Sequence, residues 1–221
     1  MIAIYFLSVL LIFSLVFLIY SKNKEDNLKI LVSKTSTSLL FVLIAVFAIL
    51  NIGYTSYAII MLVGFIFCFA GDILILDKKN TPRFILSIAS FLTGHIFFIS
   101  AFTALMGLSY LDVIFALALF LLAVITYIKI GFRLGKFLIP VVCYAIVISF
   151  MVVKAFSLVY LGYPSQIKTV LVVIGATFFF LSDILLVFLV FKKYSKKGSA
   201  INLILYYIGQ MLLAYSILYT I

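Results

Sequence analysis

Two aspartates stand where a carboxylate is costly. GDILIL occupies 71–76 and SDILLV occupies 182–187, and each sets one carboxylate, Asp72 or Asp183, in an otherwise apolar run. A charged Asp at the centre of a membrane helix costs about 2.5–3.5 kcal/mol on insertion scales. An Asp kept there marks a site or pathway, or else a structural hydrogen bond between helices. Two carboxylates in a poorly hydrated cavity suit acid–base chemistry. Burial disfavours the charged form, a neighbouring carboxylate disfavours it further, and the pair divides into a general acid and a general base. Lys34, His95, Tyr144, Ser182, Tyr206, Tyr207 and Gln210 are the other polar residues in apolar surroundings that could orient such a pair, water or a substrate. Lys34, near the start of its run, suits a lipid phosphate as a point charge.

Several other chemistries lack their residues. A catalytic zinc takes about three ligands of the His, Cys or carboxylate type. The chain has one His and two dispersed cysteines, Cys68 and Cys143, so a His-rich centre cannot be assembled and no metal or other cofactor is expected. The cysteines lie inside apolar runs and indicate no disulfide framework. No G-x-S-x-G elbow and no phosphate-binding glycine loop occurs. Ser182 adjoins Asp183, so on a helix it points about 100° away from it, which argues against a Ser–His–Asp set.

The elements that must hold these residues follow from composition. Of 221 residues, 67% are apolar and 10% charged, and the mean hydropathy is +1.42. Soluble domains carry roughly a quarter charged residues, so this chain reads as an all-α, polytopic membrane bundle in a single domain, 1–221. A span needs about 20 apolar residues. Eight runs meet that length: 2–20, 31–50, 57–76, 84–106, 112–130, 137–161, 168–191 and 200–220. The first is expected to be a retained helix, because no basic region precedes it and no small-residue cleavage site ends it. Fourteen of the sixteen Lys and Arg fall in or beside the first, third, fifth and seventh loops; Lys154 and Lys168 are the other two. The positive-inside rule then places those loops in the cytoplasm and both termini outside. The charge of +10 is a topology signal on this reading, and no nucleic-acid partner is expected. Glu25, Asp26, Asp77 and Asp112 fall in loops or at span edges and are expected to be solvated. Asp72 and Asp183 lie about 6 and 12 Å inside the cytoplasmic boundary, and the other polar residues named above fall at similar depth.

The two halves share a pattern. GDILIL matches SDILLV, and the next helix of each half carries Gly94-His95 or Gly209-Gln210, 23 and 27 residues beyond its Asp. Units 1–107 and 108–221 then read as parallel repeats about an axis along the membrane normal, with the two Asp on opposite walls of one cavity. A chance likeness of short motifs is the alternative.

Taken in order, Lys34, GDILIL, FLTGHIFF, Tyr144 with IVISFM, GATFFFLSDILLVF and LYYIGQMLL resemble the YhhN-like lysoplasmalogenase family of eight-span membrane proteins. Thr35 stands where that family often has Pro, and FKKY follows where it often has an arginine-type residue. The resemblance implies hydrolysis of the vinyl ether of lysoplasmalogens, with Asp72 and Asp183 as catalytic residues and a lysophospholipid in the membrane as substrate. The implied location is a bacterial plasma membrane, with the site toward the cytoplasm. A small proton- or ion-coupled carrier using the same two Asp is the competing class, and oligomeric state is left open.

Overall fold

Each apolar run ends at residues that prefer turns and caps, and each becomes one helix. The structure is a computed structural model that describes residues 1–77 and 80–219. Its helices are α1 (Ile2–Lys24), α2 (Asn27–Ile52), α3 (Ser56–Leu74), α4 (Thr81–Met106), α5 (Tyr110–Ile130), α6 (Leu138–Tyr160), α7 (Gln166–Phe191) and α8 (Lys196–Tyr215). One-turn 3-10 segments precede α6 (Gly135–Phe137) and follow α8 (Ser216–Leu218). Eight helical segments are long and apolar enough to cross a membrane. Several helices begin before the apolar run does, because Asp26, Thr55, Asn80, Ser109, Ser165 and Ser195 accept hydrogen bonds from first-turn N–H groups. Hydropathy finds the apolar stretch; the cap sets the helix start. The expected end of the last span, residue 220, lies outside the described residues.

Packing makes a ring. α2 packs on α3, α3 on α4, α4 on α6, α6 on α7, α7 on α8, and α8 back on α2. α1 leans on α2 and α8 from outside, and α5 leans on α6. Only Asp112 and Ala116 of α5 are buried. Its exposed Val113, Ile114, Leu117, Leu121 and Ile125 are suited to lipid.

The tightest approaches are made by glycine. A Cβ on Gly94 would lie 2.9 Å from Cys68 Sγ and 3.0 Å from the Gly64 carbonyl. A Cβ on Gly209 would lie 2.9 Å from the Gly175 carbonyl and 3.1 Å from the Phe179 nitrogen. Gly64 precedes Asp72 by eight residues, and Gly175 precedes Asp183 by eight. Backbones packed this closely fix the α3–α4 and α7–α8 pairs, and so fix the depth and heading of both carboxylates.

The odd-numbered loops meet at one end. Lys196 Nζ donates to the Asn23 carbonyl at 3.0 Å, Lys136 Nζ to Thr81 Oγ1 at 2.7 Å, and Lys192 Nζ to the Ile130 carbonyl at 2.8 Å. At the opposite end the N-terminal amine donates to Asn51 Oδ1 at 3.0 Å.

One sequence expectation is corrected here. Asp112 is not solvated; it is fully buried. It closes a capping box with Ser109, accepting that residue's N–H at 2.8 Å. It also forms an ion pair with the equally buried Lys154, Nζ–Oδ2 2.9 Å, and accepts from the Tyr160 hydroxyl. Lys154 donates as well to the Gly107 carbonyl. Lys154 is 42 residues away, and only the packing of α5 on α6 brings it to Asp112.

Candidate functional site

Lys34 and Ser38 are one helical turn apart on α2, so both present to the same neighbour. That neighbour is Asp72, in the last turn of α3. Lys34 Nζ lies 2.8 Å from Asp72 Oδ1, and Ser38 Oγ donates to Oδ2 at 2.8 Å. From α8 the Tyr206 hydroxyl donates to the same Oδ2 at 2.6 Å. Gln210 Nε2 donates to the Tyr206 oxygen at 3.2 Å, and the Tyr207 hydroxyl lies 2.9 Å from Ser38 Oγ. Asp72 is 1% exposed. A carboxylate this buried needs a cation and several donors, and here it has both. The Lys34 amine is engaged by Asp72, so it is not held out toward a phosphate.

Asp183 has a different setting. The Tyr144 hydroxyl donates to its Oδ2 at 2.5 Å. His95 Nε2 lies 2.8 Å from the Tyr144 oxygen and 3.7 Å from Asp183 Oδ2. Since the Tyr144 proton goes to Asp183, the Tyr144 oxygen accepts from His95, which assigns the proton to Nε2. His95 Nδ1 is buried and has no hydrogen-bond partner among the described residues. A second ring proton there would have no acceptor. No lysine or arginine pairs with Asp183 among the described residues. Its Oδ1 accepts no hydrogen bond from them either.

What faces Asp183 instead is an apolar groove of about 280 Å³ between α5, α6 and α7. Leu119, Ala123 and Tyr127 of α5, Val141 and Ala145 of α6, and Val187 of α7 are among its walls, with Tyr144 and Asp183 supplying polar groups. A smaller void of about 50 Å³, lined by Ser87 and Phe91 of α4, reaches Tyr144 and Asp183 from the other side. Neither cavity is lined by Asp72. One aromatic ring stands between the polar networks: Phe179 packs edge-on against His95, centroids 4.6 Å apart, and against Tyr206 at 5.1 Å. The expected polar residues therefore assemble as two neighbouring clusters, Lys34–Asp72–Tyr206–Tyr207–Gln210 and His95–Tyr144–Asp183.

Ser182 belongs to neither cluster. It is buried, it donates to the Phe179 carbonyl at 2.8 Å, and its own carbonyl accepts from Asn202 at 2.7 Å. Its hydroxyl proton is committed to backbone, as expected of a helical serine pointing away from Asp183. Sequence reasoning missed Ser38 and Phe179. Ser38 carried a usable signal, its spacing of four from Lys34; Phe179 is one of 24 phenylalanines and carried none.

Comparison with known proteins bears on this arrangement. A family model described as the YhhN family matches residues 28–217. The chain belongs to the YhhN family. That family includes lysoplasmalogenases. The match takes in every residue of both clusters and leaves all of α1 outside. No curated protein and no solved structure matches this YhhN-family chain.

Proposed function

We propose that this YhhN-family chain hydrolyses the vinyl ether of single-chain plasmalogens, yielding a fatty aldehyde and a glycerophospho-headgroup. One observation carries the reading: Asp183 lines an apolar groove with one oxygen held by Tyr144 and the other taken by no donor among the described residues. Vinyl ether cleavage begins by protonating carbon, so it needs an acid in a dry site beside a hydrocarbon chain.

Asp183 carries that proton on Oδ1, because no lysine or arginine among the described residues pairs with it and Tyr144 already donates to Oδ2. The vinyl π pair takes the proton at the β-carbon, and the ether oxygen's lone pair forms the oxocarbenium ion. The Asp183 carboxylate lies beside this cation and stabilises it. Water then adds to the α-carbon and returns a proton to Asp183. The hemiacetal collapses as Asp183 protonates the departing glycerol oxygen and accepts the hemiacetal hydroxyl proton. One water is consumed and Asp183 ends protonated. Tyr144 and His95 hold the carboxyl rotamer. Asp72 acts at one remove: paired with Lys34, it anchors Tyr206, which backs Phe179 and so the His95 wall.

Two further readings belong with this one. The basic end of the bundle is the cytoplasmic end, which puts Asp183 in the inner leaflet and both termini outside. The chain is a duplication of a four-helix unit, supported by the matching eight-residue Gly-to-Asp spacings and by the exchange of α4·α6 for α8·α2 contacts.

The test is aldehyde release from 1-alkenyl lysophospholipids by the purified protein in detergent. Wild type is expected to release aldehyde, Asp183→Asn to lose about 10²–10⁴-fold in kcat, and Asp72→Asn to lose less. Full activity in Asp183→Asn ends the acid assignment. No aldehyde from any alkenyl lysolipid, with ion-driven uptake in liposomes, replaces the hydrolase by a carrier.

A further inference from the structure

The segments at one end of the groove carry exposed cations that have no acidic counterpart among the described residues. Phe132 and Leu134, in the segment between α5 and α6, line it, as does Ile130 at the end of α5. Exposed Arg133 sits between the first two, exposed Lys129 precedes the third, and Lys192 is pinned there by its bond to the Ile130 carbonyl, 2.8 Å. The chain has six carboxylate side chains, and beyond Asp112 the only one is Asp183. The other acids at this end are already committed: Glu25 to Lys196 at 3.2 Å, Asp26 to Lys29 at 2.8 Å, and Asp77 to Arg83 at 3.2 Å. They belong to the α1–α2 and α3–α4 connections, and none comes from the two connections that make the groove mouth.

From this asymmetry we infer that the mouth selects a single-chain lipid whose phosphate headgroup is net anionic, with the phosphate on Arg133 and Lys192 and the chain running into the groove toward Asp183. This rests on the groove being the chain site of the proposed reaction, and it names the headgroup class. Arg133 offers a planar fork that suits phosphate oxygens, and Lys192 and Lys129 add point charges. A zwitterionic choline or ethanolamine headgroup brings an ammonium into the same cluster. It finds no carboxylate there and is repelled by three cations, so the mouth discriminates by an unfavourable contact as well as a favourable one. The carboxyl of Asp183 and the apolar walls keep the phosphate out of the groove itself. Lys34, bound to Asp72, is not the phosphate ligand.

The experiment measures binding, so it reads independently of hydrolysis. Acyl lysophosphatidylglycerol and acyl lysophosphatidylcholine of one chain length have no vinyl ether to cleave. Each competes with a fluorescent lysolipid on the full-length protein in neutral detergent. Lysophosphatidylglycerol is expected to bind about tenfold or more tightly at low salt, since each cation near an anionic lipid contributes about fivefold. The preference should collapse toward unity in Arg133→Gln/Lys192→Gln and at high ionic strength. It should persist in Lys196→Gln/Lys197→Gln, which removes the same charge away from the mouth. All four side chains are exposed, so these variants are expected to fold. Equal affinity for the two lipids, or a preference that survives Arg133→Gln/Lys192→Gln, overturns the inference. Displacement of the probe by inorganic phosphate alone would show a free-phosphate site and overturn it too. A headgroup preference without alkenyl hydrolysis sinks the hydrolase reading and leaves this one standing; Asp183-dependent hydrolysis without preference does the reverse.

Discussion

Lys34→Met separates a structural lysine from a phosphate-binding one. Lys34 and Asp72 are 2.8 Å apart, and their side chains are 14% and 2% exposed. Removing one partner of a buried ion pair costs about 3–5 kcal/mol, because the other charge is stranded. Asp72 keeps two hydroxyl donors, Ser38 and Tyr206, so the lower figure, about 3 kcal/mol, applies. At about 2–4 °C per kcal/mol for a chain of this size, Tm should fall by about 6–12 °C. Adding Asp72→Asn removes the stranded charge, so Lys34→Met/Asp72→Asn should recover about 2 kcal/mol of the loss. The assay is thermal unfolding of the four proteins of this cycle in one detergent, with KM for an alkenyl lysolipid measured beside it. A Tm for Lys34→Met at the wild-type value, with a raised KM, would refute the ion-pair argument. It would return Lys34 to the substrate phosphate.

Three further outcomes test other parts of the structure. Tyr144→Phe removes the hydroxyl that joins His95 to Asp183, and kcat should fall about 10–100-fold with KM and Tm little changed. Gly94→Ala and Gly209→Ala each push a methyl to 3.0 Å or less from a facing carbonyl, so each should lower stability by about 1–3 kcal/mol in thermal unfolding. Lys154→Met should cost about 3–5 kcal/mol by leaving Asp112 buried and unpaired, and Lys154→Met/Asp112→Leu should regain most of it; additive losses in the double variant would show that the pair is not coupled.

Eight helices and their order were legible in the sequence, because a membrane helix satisfies its own backbone and so announces itself by apolar length alone. The cost of a carboxylate in that setting singled out Asp72 and Asp183. The motifs around them pointed to the family that the match over residues 28–217 establishes. Partners across the bundle were not legible, since neither periodicity nor depth says which of several helices a side chain meets. Asp112 looked solvated beside its loop, and the packing of α5 on α6 buried it against Lys154. Lys34 looked free at an interface, and α3 gave it Asp72. Two carboxylates at similar depth looked like one site. The ring of Phe179, packed between His95 and Tyr206, stands between a charge-paired Asp72 and an Asp183 that faces a groove. Sequence determines how much polarity lies at each depth of the membrane; tertiary packing alone decides which charge is neutralised and which is left to act.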